Sequence, residues 1–359
     1  MDQLINGLYG IPVAGLIFQA VGYIVDQLPF LSHAAVAISI PIIFAALCGV
    51  VCERSGVVNI GLEGIMLTAA FVGWVVGVVA TQFLGHGDPT PLFGFTLPLI
   101  IALVSAVAAG MLLSLLHAWL AISVRADQII SGTIINIIAL GLTGYLISLI
   151  SQSSPKGAGS FTPLAIPQNV ANLPVVGWLI NAVFNQGPIA ISAIVLTVVL
   201  QILLFRSRWG LRTRSVGEHP KAAETVGIDV VKLRYRNVVA GGALAALGGA
   251  YLSMELTNSF QPGMTQGRGF IGLAAMIVGR WTPLGAFGAA VLFGSAQAIS
   301  SSITFAPPTG SLGDFMNQVP PQLFDALPYL VTIIILAGLI GRSTPPAADG
   351  QPYSREAAT

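Results

Sequence analysis

The stretch Arg206-Ser-Arg-Trp-Gly-Leu-Arg-Thr-Arg-Ser-Val-Gly-Glu-His-Pro-Lys-Ala-Ala-Glu-Thr-Val-Gly-Ile-Asp-Val-Val-Lys-Leu-Arg-Tyr-Arg236 sets the orientation of everything around it. Eight of the chain's 15 Lys and Arg lie here. The segment separates two apolar runs, Ile189 to Phe205 and Val238 to Leu256, each close to the ~20 residues that cross a bilayer. Basic loops stay on the cytoplasmic side, because moving Lys and Arg across the membrane is disfavoured. The loop 206–236 is therefore read as cytoplasmic.

Within it, His219 to Ile228 has the makings of a short helix. Pro220 suits a first helical position, where its missing N–H is no loss. Lys221 to Val226 are mostly good helix formers, and Gly227 can take the left-handed conformation that ends a helix. About two turns of helix are expected, held at the inner face. Charge alone would fix topology, so a capped helix among the charges points to a surface gripped by another protein. The plain alternative is an amphipathic loop helix lying on the membrane.

The rest of the composition agrees with a membrane setting. Hydrophobic residues make up 55% of the 359 and charged residues 8%, against about 25% charged in soluble domains. Mean hydropathy is +0.84. Frequent Gly, 41 residues, is expected where spanning helices pack closely. A net charge of +1 gives no sign of nucleic-acid binding. Cys48 and Cys52, the only cysteines, sit four apart in one apolar run and read as small core residues rather than a zinc site.

Apolar runs fall at about 34–52, 57–84, 97–124, 128–151, 188–205, 237–256, 268–281, 283–303 and 326–341. The expected fold is an all-α polytopic membrane protein with about nine crossing or partly crossing helices, the 268–281 run being short enough to be broken or re-entrant. Alternating outward from the basic loop places Arg54, Arg125, Arg280, Arg342 and Arg355 inside, and Lys156 and Arg268 outside. Residues 1–33 form a segment that spans or lies in the interface, 34–341 the membrane domain, and 342–359 a disordered cytoplasmic tail of Pro, Ala and polar residues. Outside, residues 172–184 with Trp178 read as a surface helix, and 304–328 as a structured lip.

No phosphate loop, His-Glu-x-x-His pair or Asp-rich cluster occurs, so no catalytic or metal residue is assigned and no cofactor is expected in this chain. The densest pattern is Glu53-Arg-Ser-Gly-Val-Val-Asn-Ile-Gly-Leu-Glu-Gly-Ile-Met-Leu67. It places Asn59 and Glu63 four apart, on one face if the segment is helical, just inside the bilayer from the cytoplasm. An intramembrane carboxylate must find a donor, and Glu63 reads first as an anchor that accepts hydrogen bonds and second as a contact for cargo. A second Gly-interrupted stretch runs from Gly267 to Pro283. Broken helices in both halves are the pattern of a transport path built from two repeats, a repeat suggested here by placement only. The candidate path residues are Asn59, Glu63, Asn136, Glu255, Asn258 and Gln297, with Gln128, Gln261 and Ser300 to Ser302 as further polar positions. Tyr145, Tyr251 and Phe260 could stack on a ring-shaped solute.

Three blocks in order carry a resemblance: Glu53 to Gly64; Gly217-x-x-Pro-x-Ala-Ala-x-x-x-Gly-Ile228 followed by the Gly/Ala-rich 241–250; and Gly269-Phe-Ile-Gly-Leu-Ala-Ala-Met-Ile-Val-Gly-Arg-Trp-x-Pro-x-Gly285. Together they resemble a permease subunit of bacterial ABC importers, in the nucleoside and simple-sugar group related to ribose and branched-chain amino-acid permeases. The resemblance implies ATP-driven uptake of a nucleoside or simple sugar across the cytoplasmic (inner) membrane. It implies as partners an ABC ATPase that carries ATP and Mg, a second and often different permease subunit, and an extracytoplasmic solute-binding lipoprotein. It makes 217–228 a coupling helix, with Glu218, Pro220, Lys221, Ala222, Ala223, Glu224 and Gly227 meeting the ATPase. The competing reading is an ion-coupled secondary carrier or channel, which would need Glu63 or Glu255 to bind and release an ion. A membrane enzyme is disfavoured, because nucleophile, base and metal are not found together.

Overall fold

In the computed structural model, residues 12–150, 159–171, 173, 176–316, 318–334 and 343–354 are described. Residues 1–11, Lys156, Arg342 and Arg355, which the topology reading used, lie outside them, as does the last run beyond Ile334. The described residues are helical without strands, and seven helices are long and apolar enough to cross a membrane. The chain is an all-α polytopic membrane protein. The short run predicted at 268–281 is an 11-residue helix, Arg268–Val278, about 16 Å long at 1.5 Å per residue.

Local chemistry explains where the helices start and stop. Asp127 Oδ1 accepts from the N–H groups of Ile129 and Ile130 at 2.8 and 3.0 Å, at the start of Gln128–Ile150. Asp229 Oδ1 accepts from Lys232 N at 2.9 Å at the start of Val230–Ala250. These are side-chain caps on otherwise orphaned donors. Two spans end in a π-helical turn, Trp119–Val124 after Leu97–Ala118 and Tyr251–Leu256 after Val230–Ala250.

The chain divides into two units. The smaller takes in residues 12–39, 165–185 and 291–334. Here the sequence expected a boundary near 33, but one 42-residue helix, Pro12–Glu53, runs without a break through that point. Within this unit Tyr23 Oη bonds Ser302 Oγ at 2.9 Å and donates to Ala306 O at 2.8 Å, while Gln19 Oε1 accepts from Leu312 N at 2.9 Å. The lip after residue 304 is thus fastened to the first helix and carries the short helices Ser311–Met316 and Pro321–Asp325. Within the run 172–184, expected to form a surface helix, Val176–Phe184 is helical.

The larger unit holds residues 40–164, 186–290 and the tail. Its centre is a trio of mutually packed helices, Leu62–Leu84, Leu97–Ala118 and Val230–Ala250, with Gln128–Ile150 against the first. Glycines let these backbones approach. A Cβ on Gly242 would lie 2.0 Å from Ser114 Oγ, and one on Gly249 2.0 Å from Met66 O. Cys48 and Cys52 are buried and free, as core residues should be.

Candidate translocation and coupling sites

The segment 53–64 is not one helix. The first helix ends at Glu53, the next begins at Leu62, and Gly56 between them has φ +83°. Asn59 and Glu63 therefore do not share a helical face. Instead Asn59 is fully buried, with Oδ1 accepting from Gly61 N at 3.0 Å. Side chains from other spans stitch the unwound backbone in place. Gln128 Oε1 accepts from Val58 N at 2.7 Å, and His117 Nε2 bonds Val58 O at 2.9 Å. Asn136 takes Gly64 N at 2.7 Å on Oδ1 and donates to Ile60 O at 3.0 Å. Gln128, a pore candidate by sequence, is thus a structural acceptor, and His117 is a packed histidine.

Glu63 caps the half-helix Arg268–Val278. Its Oε1 accepts from Gly267 N and its Oε2 from Gly269 N, both at 2.7 Å. A carboxylate at a helix N-terminus satisfies orphan donors and meets the positive end of the helix dipole. Beside this joint lies a cavity of about 480 Å³ whose lining includes Glu63, Thr133, Asn136, Gln266, Gly267 and Phe270. The volume is within the roughly 300–1,000 Å³ of small-molecule sites. Phe270 and Gln266 were missed by the sequence reading, although Phe270 belongs to the Gly-interrupted stretch it singled out and Gln266 immediately precedes it.

The other path candidates are not part of this group. Glu255 accepts from Ile189 N at 2.9 Å and Ala190 N at 3.2 Å, capping the span Pro188–Arg206. Asn258 is exposed at φ +49°, in the turn after that π-helical segment. Gln297 belongs to the smaller unit. Tyr251 is buried, Tyr145 is exposed, and Phe260 packs edge-on against Phe71 with centroids 5.1 Å apart. Arg268, which alternation assigned to the outside, is half-buried at the start of the half-helix and donates to Met264 O at 3.2 Å. An 11-residue helix covers only half of a ~30 Å core, so its first residue need not reach the far side.

The basic loop is more structured than one short helix. Ser207 Oγ accepts from Gly210 N at 3.1 Å and starts a helix, Arg208–Glu218. Pro220, which lacks an N–H, begins a new one, Pro220–Thr225. The expected helix 217–228 is therefore six residues long, because Gly217 and Glu218 close the helix before it. Gly227 has φ +83° and its N–H donates to Glu224 O at 2.9 Å. Ala223 is buried beneath the helix, Glu224 and Pro220 are half-buried, and Glu218, Lys221, Ala222 and Gly227 are exposed. Val226 beside them is 74% exposed. Arg234, one of the loop's basic residues, is 1% exposed and donates from Nε to Ser55 O at 3.0 Å.

The tail corrects the expectation of disorder over 343–354. Ala348 N donates to Gly217 O at 2.8 Å, Ala347 N to Glu218 Oε2 at 3.1 Å, and Arg234 Nη1 to Gln351 O at 3.1 Å. Tyr353 is buried with Val216, Ala223, Val230 and Leu233, and its hydroxyl bonds the Glu224 carboxylate. A low-hydropathy segment folds here because one aromatic ring and a few backbone groups find preformed partners.

Residues 33–336 match the family described as branched-chain amino acid transport system / permease component. The chain belongs to this permease family. It is 40% identical over 332 residues to the guanosine ABC transporter permease protein NupQ of Bacillus subtilis (strain 168), covering 92% of this chain and 98% of the relative. It is 34% identical over 331 residues to the nucleoside ABC transporter permease protein NupC of Lactococcus lactis subsp. cremoris (strain MG1363), with the same coverage of 92% and 98%. A second Bacillus guanosine permease protein, NupP, is 29% identical over 262 residues, 72% of this chain and 70% of the relative. No solved structure matches. As a permease of this family the chain is a multi-pass transport subunit rather than an enzyme.

Proposed function

We propose that this chain is the membrane subunit of an ATP-driven nucleoside importer in a bacterial inner membrane, with its loop 206–236 and C-terminus in the cytoplasm. The observation that carries this is 40% identity, over nearly all of both chains, to a protein named for guanosine transport. Its partners in this reading are an ABC ATPase holding ATP and Mg, a second permease and an extracytoplasmic binding lipoprotein. That NupQ and NupP of one bacterium both resemble the chain supports a heterodimer.

In this reading the exposed side of Pro220–Thr225, with Lys221, Ala222 and Val226, meets the ATPase. The cavity beside Glu63 receives solute: Phe270 offers an aromatic face to a base, and Thr133 and Gln266 offer polar groups. No observation favours an ion-coupled carrier. Both intramembrane carboxylates it would need, Glu63 and Glu255, are engaged with helix N-termini.

The test is uptake by the reconstituted complex in proteoliposomes. ATP should drive accumulation of labelled guanosine, with unlabelled nucleosides competing better than ribose. Lys221→Glu with Glu224→Lys should abolish uptake while the protein still inserts. Preferential competition by ribose would move the substrate to simple sugars, and uptake by this chain alone under an ion gradient would defeat the reading.

A further inference from the structure

The folded tail touches two elements that the importer reading keeps separate. At its start, Ser343 Oγ donates to Ile277 O at 3.0 Å, in the last turn of the half-helix Arg268–Val278. At its end, Tyr353 fills the apolar cluster under Ala223 and bonds Glu224, on the loop helix. Between them, beside Glu53, Arg234 ties the tail to the turn, donating from Nη1 to Gln351 O at 3.1 Å and from Nε to Ser55 O at 3.0 Å. Glu53 accepts from Trp281 Nε1 at 2.6 Å, and Arg54 Nε donates to Trp281 O at 2.8 Å. The residues just after the half-helix, Arg280 and Trp281, are thereby tied to the same patch that holds the tail. The other end of the half-helix is the Glu63-capped wall of the cavity.

We propose that residues 343–354 are a strap joining the loop helix Pro220–Thr225 to the inner end of the half-helix, so that movement imposed on the first is delivered to the cavity wall. The strap is a positioning element and touches no solute. Three features support a mechanical role over passive coverage. Its contacts lie on both elements and on the Glu53–Gly56 turn between them. Gly56 leaves room for it, since a Cβ there would lie 2.9 Å from Ala348 O and 2.5 Å from Arg234 Nη2. The ring of Tyr353 is buried in a close-packed cluster, and such packing transmits displacement rather than absorbing it.

This inference rests on the importer reading for its transport readout. The experiment is a truncation after Arg342 in the complete complex, with ATPase, second permease and binding protein present. Uptake should fall about tenfold, equivalent to about 1.4 kcal/mol, while the ATPase still co-purifies and still hydrolyses ATP. The ATP consumed per solute moved should therefore rise. Tyr353→Phe, which keeps the packing and loses only the hydroxyl, should give a smaller rise in the same ratio. A truncated complex that transports like its parent would overturn the strap. So would parallel loss of uptake, hydrolysis and ATPase binding, which would make the tail a docking surface. Hydrogen exchange of residues 346–352 separates these failures from failure of the importer reading. Slow exchange in the intact complex, with and without ATP, supports the tether even if guanosine is not the cargo, and rapid exchange overturns it.

Discussion

Two carboxylates inside the larger unit do the same chemistry with different consequences. Glu63 accepts from Gly267 and Gly269, and Glu255 accepts from Ile189 and Ala190. Each occupies a helix N-terminus that would otherwise leave donors unpaired. What differs is the helix that is capped. Glu255 anchors a 19-residue span, Pro188–Arg206, whereas Glu63 anchors an 11-residue half-helix that walls the cavity. The same cap seats a full span in one place and a cavity wall in the other, and only the second is a joint in the proposed transport cycle. An intramembrane charge is informative only once its partner is known.

Glu63→Ala should separate the two most sharply. Losing two hydrogen bonds to a charged group costs about 3 kcal/mol or more. That is enough to lower uptake per transporter about a hundredfold, with the amount of inserted protein little changed. Glu255→Ala removes an equivalent cap but should appear mainly as less folded protein in the membrane, with near-normal uptake per molecule. Quantified membrane levels alongside initial uptake rates check both. Equal behaviour of the two variants would erase the distinction.

The glycines that admit each carboxylate sharpen it further. A Cβ on Gly269 would lie 2.7 Å from Glu63 N and 2.8 Å from Glu63 Cα, which are backbone atoms that cannot swing aside. A Cβ on Gly187 would instead meet the Glu255 carboxyl carbon at 2.3 Å, at the end of a flexible side chain. Gly269→Ala should therefore carry an overpacking penalty of about 1–3 kcal/mol and reduce uptake strongly. Gly187→Ala should be the milder change, as thermal melting and uptake rates of the purified complexes will show.

A third carboxylate, Asp349, lies outside the spans and gives the smallest effect. Burial pushes it up from the ordinary 3.8 to about 6. A raised acid pKa means that the docked tail prefers the protonated form. Its contribution to docking is complete below about 3.8 and is lost as pH rises through about 6. Protection of the 346–352 amides, corrected for intrinsic exchange, should decline across that window, and Asp349→Asn should flatten the decline.

Much of this was legible in the sequence because burial and topology are local properties. The apolar runs, the basic loop, Pro220 and Gly227 each act through their immediate neighbours. The motif 53–64 was visible but its geometry was not. Asn59 and Glu63 at helical spacing look like one face until Gly56 turns the chain and Asn136, Gln128 and His117 hold it open from other helices. The burial of Arg234 was hidden for the same reason, since its partners Ser55 and Gln351 lie 179 and 117 residues away in the chain. The tail was unreadable because Tyr353 is its sole large apolar anchor. Pairings between distant segments leave no periodicity to detect.

The most direct test of coupling through the loop helix is Gly227→Pro in the complete complex. Gly227 has φ +83° and donates its N–H to Glu224 O. Proline fixes φ near −65° and has no N–H to give, so the end of the helix must rearrange. ATP-driven uptake should disappear, while the protein inserts normally and the cavity still binds solute. Normal uptake with that helix end broken, or uptake by the isolated chain under an ion gradient alone, would contradict coupling through this helix.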